Sequence, residues 1–100
     1  MTVAPDLSAF LATLAADAPP AGCAAALTGV WHALRGDWDA AHEAVNHGDD
    51  DCAWVHAALH REEGDDGNAG YWYRRAGRPV ATGAFDVEYR AIASTLLRSR

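Results

Sequence analysis

Lysine is missing from this chain: all eight cationic side chains are arginine, set against fourteen carboxylates for a formal net charge of -6. A protein that negative is repelled by phosphate backbones, so nucleic acid would require a strong local basic patch. The available cluster, Arg74, Arg75 and Arg78, is small and sits beside acidic neighbours. Nucleic acid is therefore not an expected partner. Cysteine occurs only at positions 23 and 52. Without a C-x-x-C pair, neither a zinc knuckle nor a thioredoxin-like centre has support, and both thiols are expected to be reduced, small core residues. Long apolar runs are also lacking. The uncharged stretch from Ala18 to Leu34 is broken by Pro19, Pro20 and Gly22 and contains His32, short of the roughly twenty apolar residues a membrane span needs. The segment Met1 to Asp6 has neither a basic start nor a long apolar stretch, so no secretory leader is expected. The resulting expectation is a cytoplasmic protein with no membrane partner. Catalytic signatures are missing as well. After His42-Glu43 the next histidine is His47, with Asn46 in the place that an H-E-x-x-H zinc site requires. His47 therefore falls on the wrong helix face. Gly64-Asp65-Asp66-Gly67 follows no strand and carries the wrong charge to cradle an anion.

What is present is helix-forming. Half of the residues are apolar and 22% are charged, which places the chain among folded proteins, and its length suits one domain over 1–100. Alanine, the strongest helix former, is abundant. Leu7, Phe10, Leu11 and Leu14 follow the i, i+3, i+4, i+7 stripe of an amphipathic helix, capped by Asp6 or Ser8 and ended by Pro19-Pro20. Leu27, Val30, Trp31 and Leu34 repeat that spacing in a second helix. Asp37 caps a third, with Trp38, Ala41 and Val45 inward, ended by Gly48. Asp49-Asp50-Asp51 supplies the negative start of a fourth, where the helix dipole favours it. Its stripe, Cys52, Val55, His56 and Leu59, holds a histidine in an apolar slot. Asp65 or Asp66 opens the fifth, with Ala69, Trp72, Tyr73 and Ala76 inward, and Phe85, Tyr89, Ile92 and Leu96 mark a sixth. No stretch alternates with period two. The expected class is all-α, with about six helices.

Gly36-Asp37 and Gly64-Asp65 lie twenty-eight positions apart, each closing one helix and opening the next. Superposing these turns pairs Gly29 with Ala57, His32 with His60, Ala41 with Ala69, and Val45 with Tyr73. The first and third pairs are small, which permits close helix approach. With Gly64, Ala69, Tyr73, Ala76 and Pro79 in its second half, the pattern resembles the tetratricopeptide repeat, although that family's period is about 34. The resemblance covers roughly residues 23–79 and implies two antiparallel helical hairpins with flanking helices closing the ends. The wording of Trp31-His32-Ala33, Gly36-Asp37-Trp38 and Tyr71-Trp72-Tyr73-Arg74-Arg75-Ala76 also resembles a group of small bacterial proteins of unknown function. That resemblance implies a fold and no chemistry.

Two sets of residues can carry function. Five histidines are the main chemical hint. His56 and His60 are i, i+4 on one helix face, Glu63 continues that line, and His32 is the repeat counterpart of His60. Together these four suit a divalent transition metal. His42 with Glu43 can approach from the third helix. The plainer alternative has each ring packed or hydrogen-bonded between helices, and the sequence favours it. The second set is Trp54, Arg61, Tyr71, Arg74 and Arg75. Tyr71 and Arg75 are placed to stack, forming an anchor for a partner protein; the plainer alternative pairs the arginines with Glu62, Glu63 or Asp66. The leading expectation is a non-enzymatic helical scaffold without a cofactor. It binds a protein or peptide, or a second copy of itself as a homodimer. The rival is a histidine-based metal or small-ligand protein, a reading that leaves room for enzymatic activity.

Overall fold

A computed structural model describes residues 6–98. Met1–Pro5, in which no leader is expected, lie outside the described residues. Six α-helices run through them in order: α1 (Leu7–Ala12), α2 (Ala25–Leu34), α3 (Trp38–Val45), α4 (Asp50–Glu62), α5 (Asp66–Ala76) and α6 (Phe85–Arg98). There is no strand among the described residues, and the protein is all-α. No helix among them is long and apolar enough to cross a membrane.

The caps follow local chemistry. Asp6, Asp37, Asp49 and Asp65 each accept a hydrogen bond from the backbone N–H three residues on, which satisfies a donor that the first helical turn leaves unpaired. The two Gly-Asp turns are built alike. Gly36 N–H donates to the Ala33 carbonyl and Asp37 N–H to that of His32, as Gly64 does to Arg61 and Asp65 to His60. This pair of hydrogen bonds closes a helix through a left-handed residue. Gly36 and Gly64, at φ 79° and 90°, supply that conformation without a Cβ penalty. Two helix ends differ from the sequence expectation. α1 stops at Ala12 and continues as a 3-10 turn over Thr13–Ala15; the Thr13 hydroxyl donates to the Phe10 carbonyl at 2.6 Å, a local bond that competes with the helical ladder. α3 ends at Val45, before Gly48.

α2 packs on α3 and α4 on α5 as two helical pairs, each across its tight turn, while α3 and α2 also meet α4. The small positions lie at the closest approaches. A Cβ on Gly29 would stand 2.6 Å from Val45 Cγ1, so α2 and α3 touch there because glycine leaves room. In the second pair, Ala57, Ala69 and Tyr73 form the matching buried contact. The main core joins Leu27, Val30, Trp31, Val55, Leu59, Ile92 and Leu96. Here α6 lies across α2 and α4. Both cysteines are free thiols; Cys52 is buried in this core, whereas Cys23 is only half-buried beside it.

A buried polar clamp fixes α6. Arg61 Nη1 donates to Glu88 Oε1 at 3.0 Å and Nη2 to the Gly83 carbonyl at 2.5 Å. Tyr73 hydroxyl donates to the other Glu88 oxygen, and Tyr89 hydroxyl donates to Glu62 Oε1 at 2.7 Å. Burial, first, and these carboxylates push both phenols above their ordinary titration range. Removing one member would strand its partners away from water, so the clamp specifies the docking of α6 more than it adds net stability.

A candidate metal centre between three helices

α4 is flanked by α3 and α5, and its inward stripe carries His56 and His60 one turn apart. α3 brings His42 to the same place. One ring nitrogen from each of His42, His56 and His60 lies within 4.8 Å of the others. His56 and His60 are buried and His42 half-buried. The rings of His56 and His60 stack at 4.9 Å, and His42 meets His56 edge-on at 4.5 Å. A tetrahedral ion with metal–nitrogen distances of 2.0–2.1 Å sets its ligands about 3.4 Å apart, so closure needs each nitrogen to move inward by less than about 1 Å. The stacked pair must also tilt, so that both lone pairs point at one ion.

The three rings differ in their surroundings. His60 Nδ1 lies 2.5 Å from Glu63 Oε2, a contact in which the ring nitrogen donates and the carboxylate accepts. A carboxylate behind a ligating histidine is a recurrent feature of metal sites. His56 is different. Its Nδ1 is the one buried side-chain nitrogen or oxygen among the described residues without a hydrogen-bond partner. Burial, then the neighbouring His42 and His60, lower its pKa from 6.5 to about 4, with the Val45 backbone opposing them. His56 is therefore neutral at pH 7, the state that metal ligation requires. Indoles cover both flanks: Trp38 stacks on His42 at 4.9 Å and 9°, and Trp72 on His56 at 3.9 Å and 7°.

The sequence-derived metal set is redistributed. His56, His60 and Glu63 are together, with Glu63 behind His60. His32 is not with them; its half-buried ring meets Trp31 edge-on at 5.1 Å. His42 takes the third place, because α3 packs against α4 whereas α2 presents its His32 elsewhere. His60, Glu63 and Asp65 also approach one another, but Asp65 caps α5 and both carboxylates are exposed.

No protein-family model matches the chain, and neither a curated protein nor a solved structure matches it.

The partner set is dispersed. Arg61 is spent inside the α6 clamp. Trp54 is half-buried between the two cores, with the Arg78 guanidinium 3.9 Å over its ring. Tyr71 is 49% exposed, but it meets Trp72 edge-on, and Arg75 lies over Trp72 rather than over Tyr71. Arg74 and Arg75 are exposed and form no ion pair among the described residues. Of the carboxylates offered to them by sequence, Glu62 and Glu63 are engaged by Tyr89 and His60, and Asp66 makes no ion pair with them among the described residues. Sequence reasoning marks Trp38 and Trp72 only as core positions. The i, i+4 spacing of Trp38 and His42 is the available signal for the first; nothing in the sequence pairs Trp72 with His56.

Proposed function

We propose that this protein binds one divalent transition metal through His42, His56 and His60. The observation that carries this reading is the approach of one ring nitrogen from each of the three imidazoles to within 4.8 Å of the others, with His56 and His60 buried. His56 Nδ1 is buried without a hydrogen-bond partner; a buried polar atom left unpaired costs roughly 1–3 kcal/mol, and a cation bound at that nitrogen would remove the penalty. An all-imidazole donor set suits Zn, Cu, Fe or Ni, and the lack of thiolate or extra carboxylate in it disfavours Cu(I), Mg and Ca. Calorimetric titration of untagged protein with zinc chloride at pH 7 should give one equivalent bound, lost in His60→Ala and in His42→Ala. Glu63→Gln should weaken binding about 10–100-fold while retaining it. Absence of binding in the unaltered protein would overturn the reading.

A second reading is a cytoplasmic tetratricopeptide-like scaffold for a protein partner or a second copy of the chain. It is supported by the two alike turns and matching small contacts, together with exposed Tyr71, Val80, Phe85 and Val87.

A further inference from the structure

We propose that the cleft between α1, the turn before α2 and the end of α6 binds a small, uncharged apolar molecule. The cleft has a volume of about 390 Å³, within the range of roughly 300–1,000 Å³ usual for small-molecule sites. It shares no residue with the histidine site. Its floor is Phe10, Leu27 and Leu97, all buried in the main core, and Pro20 and Cys23 line its side. No carboxylate, histidine or arginine lines it among the described residues. Thr13 brings a hydroxyl that is already engaged: it donates to the Phe10 carbonyl at 2.6 Å and accepts from Trp31 Nε1–H at 3.2 Å. A hydroxyl has a single hydrogen to give, so the weak thiol of Cys23 is the remaining donor among the lining side chains. A charged ligand would lose its hydration there with nothing to replace it. A hydrocarbon has no such loss, and contact with the floor takes its surface out of water. Water is a poor occupant for the same reason, since an ordered molecule needs roughly two to four polar partners. An apolar cavity of about 150 Å³ already holds benzene, so this one has room for a fused aromatic or an aliphatic chain.

The walls are fixed by bonds of the chain to itself. Trp31 and Arg35, one turn apart at the end of α2, reach back to the segment after α1. Trp31 holds the Thr13 hydroxyl, and Arg35 Nη1 donates to the Ala16 carbonyl at 2.5 Å. On the other side, Cys23 N–H donates to the Pro20 carbonyl at 3.2 Å, closing a turn in which Gly22 stands at φ 75°, a conformation glycine adopts without strain. Walls ordered before binding spare the ligand the cost of ordering them.

N-phenyl-1-naphthylamine, a neutral dye that brightens in apolar surroundings, is a suitable probe. The full chain should bind one equivalent, displaced by 1-decanol and about tenfold less effectively by decanoate. Cys23→Phe, which fills the cleft from its side, should weaken dye binding about tenfold or more. Val87→Ser, which removes an exposed apolar side chain of α6, should leave binding unchanged. Absence of dye binding to the unaltered chain, or equal displacement by decanoate, would overturn the proposal without using a variant. Full retention in a folded Cys23→Phe with loss in Val87→Ser would also overturn it, placing the dye on the exposed apolar surface instead. Dye binding that falls as protein concentration rises would assign the cleft to a second copy of the chain, again overturning it.

Discussion

His56 shows how a single side chain is shaped by where its helix lies. By pattern it occupies an apolar slot of α4, and it is buried with only 4% of its surface exposed. The folded protein resists its protonation until about pH 4, whereas the unfolded chain takes up that proton near 6.5. Because the unfolded state binds more protons between these values, stability rises with pH across the window and is lost as pH falls from about 6.5 to 4. The loss from this group amounts to about 3 kcal/mol at most. Urea unfolding of the metal-free protein at stepped pH should show this decline, and His56→Gln should flatten it relative to the unaltered chain. An equally steep decline in the variant would show that His56 does not titrate as described. Cys52, by contrast, is a structural thiol. Burial, then Asp49, raises it to about 11, so it stays protonated and unreactive at neutral pH.

Between helices, the contacts most open to test are the small ones. Ala69 is 2% exposed and packs with Ala57 and Tyr73, in the position that Ala41 holds opposite Gly29 one hairpin earlier. Ala69→Leu should overpack α4 against α5 and destabilise the protein by about 1–3 kcal/mol, measured as a lowered denaturant midpoint. An unchanged midpoint would refute the correspondence between the two hairpins. That correspondence is legible in the sequence because it is written in short-range terms: glycine where φ must be positive, aspartate at each cap, and a small residue where backbones approach. α6 is legible only as an amphipathic stripe. Its polar attachment is not, since Arg61 meets Glu88 and Glu62 meets Tyr89 across 27 positions each, with no periodicity to connect them.

Across the molecule, the exposed large apolar side chains Tyr71, Val80, Phe85 and Val87 all belong to α5, α6 and the link between them. In the scaffold reading they form the contact with a second copy, and light scattering should then show a dimer at micromolar concentration. A monomer across the concentration range would remove self-association and leave the metal reading untouched. Helicity, the places of the turns and the like construction of the two Gly-Asp turns follow from the order of residues, because propensity, capping and stripe periodicity act over short spans. Which histidines meet does not follow from it; that depends on packing. His32 and His60 occupy equivalent places in their hairpins. α4, however, has α3 of the preceding hairpin alongside it, whereas α2 opens the first hairpin and has none before it. His60 therefore faces His42 and His56, and His32 faces Trp31. The same enclosure of α4 places Trp38 and Trp72 on the imidazoles. Equivalent positions in sequence thus acquire different neighbours, because the surroundings of a side chain depend on which helix lies alongside.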